Sequence, residues 1–291
     1  MLIKEVCSLT KLTKKAIEYY EEHKLIEAKI LNNGYRDFNE NDIETLKKIS
    51  MLRKLGIGVE DIKVVLQENK FDSLNKIILK RELGIQREKE KQKLLNKLTS
   101  GSDWAEIKEG IMVIEKNETI LEKLMDSFPG YYGRFICLHF SRFLNEPILT
   151  KEQEDAYDDI VNFLDNVPAL QFPEELQEFL IENTKHINTI NIREMNESTK
   201  KSIENPDKFL KENKEMLEEY LKYKQSEEYK QSPVYKIQEL MKEFNSTSGY
   251  YDIFIPSMKR LSRGYAEYYK QLEIANEKLL KQYPEIENLN K

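Results

Sequence analysis

Over the first 70 positions, apolar and polar residues alternate in short blocks that spell helices interrupted by one hairpin. Val6, Leu9 and Leu12 can face Ile17 across a short turn, and Thr13 is placed to cap a helix running to about Glu22. Two short helices joined in this way outline a helix-turn-helix. Asn33-Gly34 then lies between Ala28–Leu31 and Tyr35–Phe38, a hairpin signal in which both turn positions are expected at positive φ. A hairpin at this place makes a wing. Asn39, with Asp42 three residues on, opens a third helix, and a fourth follows Gly56-Ile57-Gly58 through Ile62, Val65 and Leu66.

From Phe71 to Leu98 the pattern becomes one lysine-rich helix, with Leu74, Ile78, Arg81, Ile85, Glu88, Gln92 and Leu95 at alternating four- and three-residue steps. Glycine at position 84 costs such a helix about 1 kcal/mol relative to alanine. The narrow stripe predicts either pairing with a second copy of the chain or a solvated helix packed on its own chain. Thr99–Asp103 is small and polar and reads as a hinge leading into the next helix. Beyond it, helical spacing dominates. Trp104, Ile107, Ile111, Ile114, Glu118, Leu121 and Met125 form one stripe, and Met258, Leu261, Tyr265, Tyr268, Leu272, Ala275 and Leu279 another.

Charge sharpens this division. The net charge of −6 splits into +5 over residues 1–98 (21 Lys+Arg against 16 Asp+Glu) and −11 over the remainder (25 against 36). All 8 prolines fall at or after Pro129. A basic end joined to an acidic body hints at a segment facing nucleic acid and a second part with another task. No apolar run is long enough to span a membrane and no cleavable leader pattern opens the chain, so a cytoplasmic protein without membrane partners is expected. Cys7 and Cys137 stand apart, with no ligand-spaced partner among His23, His139 and His186. No metal site or cofactor is expected. No nucleophile motif or phosphate loop is present either, so an enzyme is the least favoured reading.

A recognition helix needs an exposed face of cationic and hydrogen-bonding side chains. Lys14, Lys15 and Tyr19 supply one, with Arg36 at the wing positioned to clamp the backbone. Tyr20 is a further candidate, although its spacing from Ile17 favours the core. Ile3, Glu5-Val6, Leu9-Thr10, Tyr19-Tyr20-Glu21, Leu25-Ile26, Asn33-Gly34-Tyr35-Arg36, Asp42-Ile43, Ile49, Leu52-Arg53-Lys54-Leu55-Gly56 and Glu60-Asp61-Ile62 resemble, in order and spacing, the DNA-binding domain of the MerR family of bacterial transcriptional regulators. The resemblance implies a winged helix-turn-helix with a small β-hairpin wing (1–70) and an antiparallel coiled-coil dimerisation helix (71–98); with the hinge (99–103) and the separate helical effector or interaction domain (104–291) that the residue pattern adds, the expected fold is all-α. The resemblance adds Thr13, Tyr35 and Arg53 to the DNA-facing set and assigns Leu74, Ile78, Arg81, Ile85, Gln92 and Leu95 to the dimer seam. It further implies a homodimer on double-stranded promoter DNA that bends and untwists an overlong spacer for RNA polymerase.

Four positions depart from the family pattern. Glu18 stands where the family usually carries an arginine, Lys11 and Lys24 stand where it has turn glycines, and Ala28 replaces a proline before the wing. The cysteines of metal- and redox-sensing members are absent. Multidrug-sensing members carry large C-terminal domains with aromatic pockets, and this C-terminal part is large and aromatic but helical, unlike the mixed α/β domain common in that class, so no ligand residues carry over from it. Here the aromatic clusters are Phe128–Phe135 with Phe140 and Phe143, then Gly249-Tyr250-Tyr251, then Tyr265, Tyr268 and Tyr269. Tyr131, Tyr132, Phe135, Phe140, Tyr250, Tyr251, Tyr265, Tyr268 and Tyr269 can line a cavity for an aromatic or amphipathic small molecule, or simply pack. Glu118, on an otherwise apolar seam, can face a cationic ligand or a partner lysine within the domain. The rival is a helical domain that docks protein partners or oligomerises.

Overall fold

The computed structural model describes residues 1–67, 70–128 and 130–289; Pro129, in the first aromatic stretch, lies outside them. The chain divides into two compact units, Met1–Lys80 and Arg81–Lys291.

The first unit opens with α1 (Ile3–Thr10) and α2 (Lys14–Glu22). Thr13 caps α2 as its residue type demands, its hydroxyl accepting from the Ala16 amide at 3.2 Å. Strands β1 (Lys29–Ile30) and β2 (Arg36–Asp37) pair antiparallel, and α3 (Glu40–Lys54) and α4 (Val59–Gln67) follow. Asn39 and Asp42 close the expected capping box on α3, each side chain accepting from the other's amide at 2.8 and 3.0 Å. Val6, Ile17, Tyr20, Phe38, Leu46, Ile49 and Ile62 make the core. Leu9, expected to face Ile17, is instead exposed. α1 turns Val6 and Thr10 inward, and the Thr10 hydroxyl donates to the Val6 carbonyl at 2.7 Å, so Leu9 falls on the outer side.

The wing turn also differs from expectation. Only Gly34 has positive φ (81°), and Asn33 does not. The Gly34 amide donates to the Leu31 carbonyl and the Leu31 amide to the Tyr35 carbonyl, both at 2.8 Å. The loop is therefore a four-residue turn closed by a glycine bulge rather than a two-residue primed turn, and only the bulge position requires the left-handed region. Lys11 (φ 59°) and Lys24 (φ 57°) hold left-handed conformations at the ends of α1 and α2. At the second of these the Leu25 amide reaches the Tyr20 carbonyl and the Lys24 amide reaches the Glu21 carbonyl, a Schellman closure that normally takes glycine.

Helix α5 (Lys70–Thr99) runs through the division between the units. Its later turns pack on α6 (Trp104–Ser127). Lys97 pairs with Glu106 at 2.6 Å, Arg87 pairs with Glu118, and a Cβ on Gly110 would stand only 2.5 Å from Leu94 Cδ2. The 99–103 segment, read from sequence as a hinge, forms the turn of this helical hairpin, with Gly101 at φ 90° and Asp103 capping α6.

The rest of the second unit is helical: α7 (Gly130–Phe140) with a 3-10 turn (Ser141–Phe143), α8 (Lys151–Asn166), α9 (Glu174–Thr184), α10 (Thr189–Glu204), α11 (Pro206–Glu212), α12 (Lys214–Gln225), α13 (Glu227–Lys230), α14 (Pro233–Thr247), a π-turn (Tyr250–Phe254), α15 (Ile255–Leu261), α16 (Arg263–Gln282) and α17 (Ile286–Leu289). Prolines 206 and 233 open α11 and α14, where a missing amide hydrogen costs nothing. Ile120, Leu124, Phe140, Ile160, Phe254 and Met258 lie at the centre of its core. Trp104, the first residue of the expected α6 stripe, is 74% exposed, whereas Ile107 and Met125 on the same stripe are buried.

Candidate nucleic-acid interface

The short α1–α2 turn and the buried Ile17 and Tyr20 fix which side of α2 faces outward. Lys14 and Lys15 are exposed at its start, beside the Thr13 cap, and Tyr19 is exposed with its ring 4.1 Å from that of His23. Tyr20 does not join them. At 7% exposure it belongs to the core, as its one-turn relation to Ile17 dictates, and its ring is not part of the exposed face of α2.

The wing places Tyr35, 62% exposed, and Arg36 at the opposite edge. Arg36 is not a free cation. Its Nε donates to Glu21 Oε2 at 2.6 Å, which ties the wing to the recognition helix. Arg53 is exposed, and its Nη1 donates to the Ile57 carbonyl at 2.8 Å, bracing the α3–α4 turn. Glu18, half-buried on α2, has Lys14 Nζ 3.6 Å from its carboxylate. The sequence did not foresee the Glu21–Arg36 tie, although Tyr-Tyr-Glu followed by Gly-Tyr-Arg contained both partners.

On α5, Leu74 packs against the core of the first unit, while Ile78, Arg81, Ile85, Gln92 and Leu95 are exposed. The face turned toward α6 carries Arg87 and Leu94 instead. From Ile78 onward the expected seam is thus the face that this chain leaves uncovered.

In the second unit the three aromatic clusters merge. Rings run from Tyr131 through Phe135 and His139 to Tyr268, and from Phe128 through Tyr250 and Phe254 to Phe140 and Tyr265, with centroids 5.0–6.4 Å apart. Tyr132 leans on Phe172, and Tyr251 is exposed. Burial pushes the Tyr250 and Tyr265 phenols well above their ordinary value. Three rings of these clusters already carry the chain's own cations: Lys259 sits 3.5 Å from the Tyr269 ring centre, and Arg142 lies over Phe143 and Tyr268. Glu118, expected as a possible counter-charge for a ligand, is ion-paired with Arg87. The basic partner is an arginine on α5 rather than a lysine. Burial and the Arg142 guanidinium hold the His139 imidazole down to about 4, so it is neutral. Among the described residues no group of histidine, cysteine and acidic side chains has metal-site geometry, and no helix is long and apolar enough to cross a membrane.

Two capped helices joined by a tight turn, a bulged hairpin and a third and fourth helix packed beneath them define a winged helix-turn-helix domain. Residues 1–69 match the model of the MerR HTH family regulatory protein, and this part of the chain is a MerR-family helix-turn-helix domain. The HTH-type transcriptional regulator CueR of Yersinia pestis is 36% identical over 67 residues, which is 23% of this chain and 48% of that protein. The HTH-type transcriptional regulator HmrR of Sinorhizobium medicae is 37% identical over 67 residues, 23% of this chain and 46% of that protein. The match spans about half the length of these curated relatives. No solved structure matches the chain.

Proposed function

We propose that the protein is a transcriptional regulator that binds double-stranded promoter DNA as a homodimer. The observation that carries this reading is the exposed basic start of α2, with Lys14 and Lys15, together with a wing that presents Tyr35 and Arg36, within a MerR-family domain. The uncovered α5 face with Ile78, Ile85 and Leu95 supports pairing of two copies through residues 71–98. Two domains held at a fixed spacing would straddle a pseudo-palindromic site. Following the family resemblance, activation proceeds by bending and untwisting an overlong spacer so that RNA polymerase engages both promoter elements.

The helical unit supplies the input. Its continuous aromatic system supports an aromatic or amphipathic effector, and the rings of Tyr268 and Tyr269 already carry cations of the chain itself. A second reading, a helical unit that docks protein partners, is favoured by Met216, Tyr220 and Tyr223, all exposed on α12. Footprinting with the full chain, combined with light scattering, tests the core of the proposal. Two protected half-sites under a dimer are expected, and a monomer that protects no sequence contradicts it. A thermal-shift screen separates the two inputs, because stabilisation by aromatic compounds supports the sensor and none across the class supports docking.

A further inference from the structure

The outward ridge of α2 is not basic at its centre. Ala16, Ile17 and Tyr20 turn inward, and at 3.6 residues per turn the direction opposite them is occupied by Glu18 and Glu22, with Lys15 beside them and Lys14 and Tyr19 at the flanks. Lys14 and Lys15 suit phosphates at the groove edges. A carboxylate between them does not, since phosphate repels it. What the major groove offers a carboxylate is the amino group of cytosine, a donor that acidic side chains accept from.

Glu18 is the better placed of the two carboxylates. It is the fifth of the nine residues of α2, about one turn in from the N-terminal end with which a recognition helix reaches base edges, whereas Glu22 ends the helix. Lys14 Nζ, 3.6 Å away, is close enough to offset its charge and too far for a hydrogen bond, so the pairing does not commit the carboxylate's acceptor oxygens. We infer that Glu18 is a base-reading residue that selects cytosine at one position of each half-site, with Lys14 lowering the cost of bringing its charge into the groove. The inference rests on the DNA-binding reading above.

The test is selection of duplexes from a randomised library by the full chain, using the wild type, Glu18→Ala and Glu18→Gln, with circular dichroism to confirm that each variant is folded. The wild type is expected to enrich cytosine at one position per half-site, with about tenfold to a hundredfold preference there. Glu18→Ala should lose preference at that position alone. Glu18→Gln should move it to adenine, whose edge offers the donor and acceptor that an amide pairs with. If both variants enrich the same bases as the wild type at every position, the inference is overturned while DNA binding stands. If the wild type itself enriches no sequence, the DNA-binding reading fails and takes this inference with it.

Discussion

Arg36 on the wing donates through Nε to Glu21 on the recognition helix at 2.6 Å, so the two parts of the domain that would meet DNA are fastened to each other before DNA arrives. An exposed pair of this kind adds at most about 1 kcal/mol to stability. Its value lies in orientation, because the bond uses Nε and leaves the outer guanidinium nitrogens to face phosphate. Arg36→Ala should weaken binding across all sequences and lower the salt slope by about 1. Glu21→Ala should weaken it by less and leave the slope unchanged, and the double variant should bind no worse than Arg36→Ala. Tighter binding by Glu21→Ala would show the carboxylate to be a competitor for Arg36 instead.

Lys11 and Lys24 sit at φ 59° and 57°, where a side chain is strained by about 1–2 kcal/mol. Glycine relieves that strain but adds about 0.5–1 kcal/mol of unfolded-state entropy. Each of Lys11→Gly and Lys24→Gly should therefore stabilise the first unit by about 0.5–1 kcal/mol, read as a higher denaturation midpoint of its transition. A lower midpoint in either variant would mean that the lysine contributes a contact worth more than the strain.

His139 gives the second unit a pH dependence. Its folded value of about 4 lies below the ordinary 6.5, so the imidazole is neutral in the folded chain above that value. Above 6.5 the group is neutral in both states and its full contribution is present. As pH falls from 6.5 to 4 the unfolded chain takes up a proton that the folded chain refuses, and about 3 kcal/mol is lost across that window. The Arg142 guanidinium and the rings of Phe135, Phe140, Phe143 and Tyr268 around the imidazole account for the refusal. His139→Gln should flatten the stability profile between pH 6.5 and 4, and an unchanged profile would remove His139 as its source.

The uncovered α5 face makes its own prediction. Ile85, 53% exposed, lies on the proposed seam, and Ile85→Glu places a charge where two copies would meet. Light scattering should show a monomer that has lost operator affinity while circular dichroism remains unchanged. A dimer that persists in Ile85→Glu would move the interface elsewhere.

Much of this architecture was legible because local chemistry dictates it. Thr13, Asn39 and Asp42 cap helices wherever they occur with this spacing, and α2, α3 and the long α5 follow from those signals. The failures have physical causes. Asn33-Gly34 identified a hairpin but not its loop, since a bulge needs positive φ at Gly34 alone. Leu9 and Trp104 obeyed helical spacing yet point outward, because periodicity leaves the direction of a stripe to the partner that covers it. Lys14, Lys15 and Arg36 were recognisable by type, whereas the Glu21–Arg36 and Arg87–Glu118 pairs join elements far apart in sequence that spacing does not connect.

The salt dependence of DNA binding by the full chain tests α2 and the wing most directly as the surface that meets DNA. Fluorescence anisotropy on a selected duplex, from about 50 to 200 mM salt, should show log affinity falling linearly with log salt at a slope of several, because lysines and arginines displace counterions from phosphate. Lys15→Ala should reduce that slope by about 1. Binding that ignores salt, or a Lys15→Ala variant indistinguishable from the wild type across the series, would contradict the assignment of α2 and the wing as the surface that meets DNA.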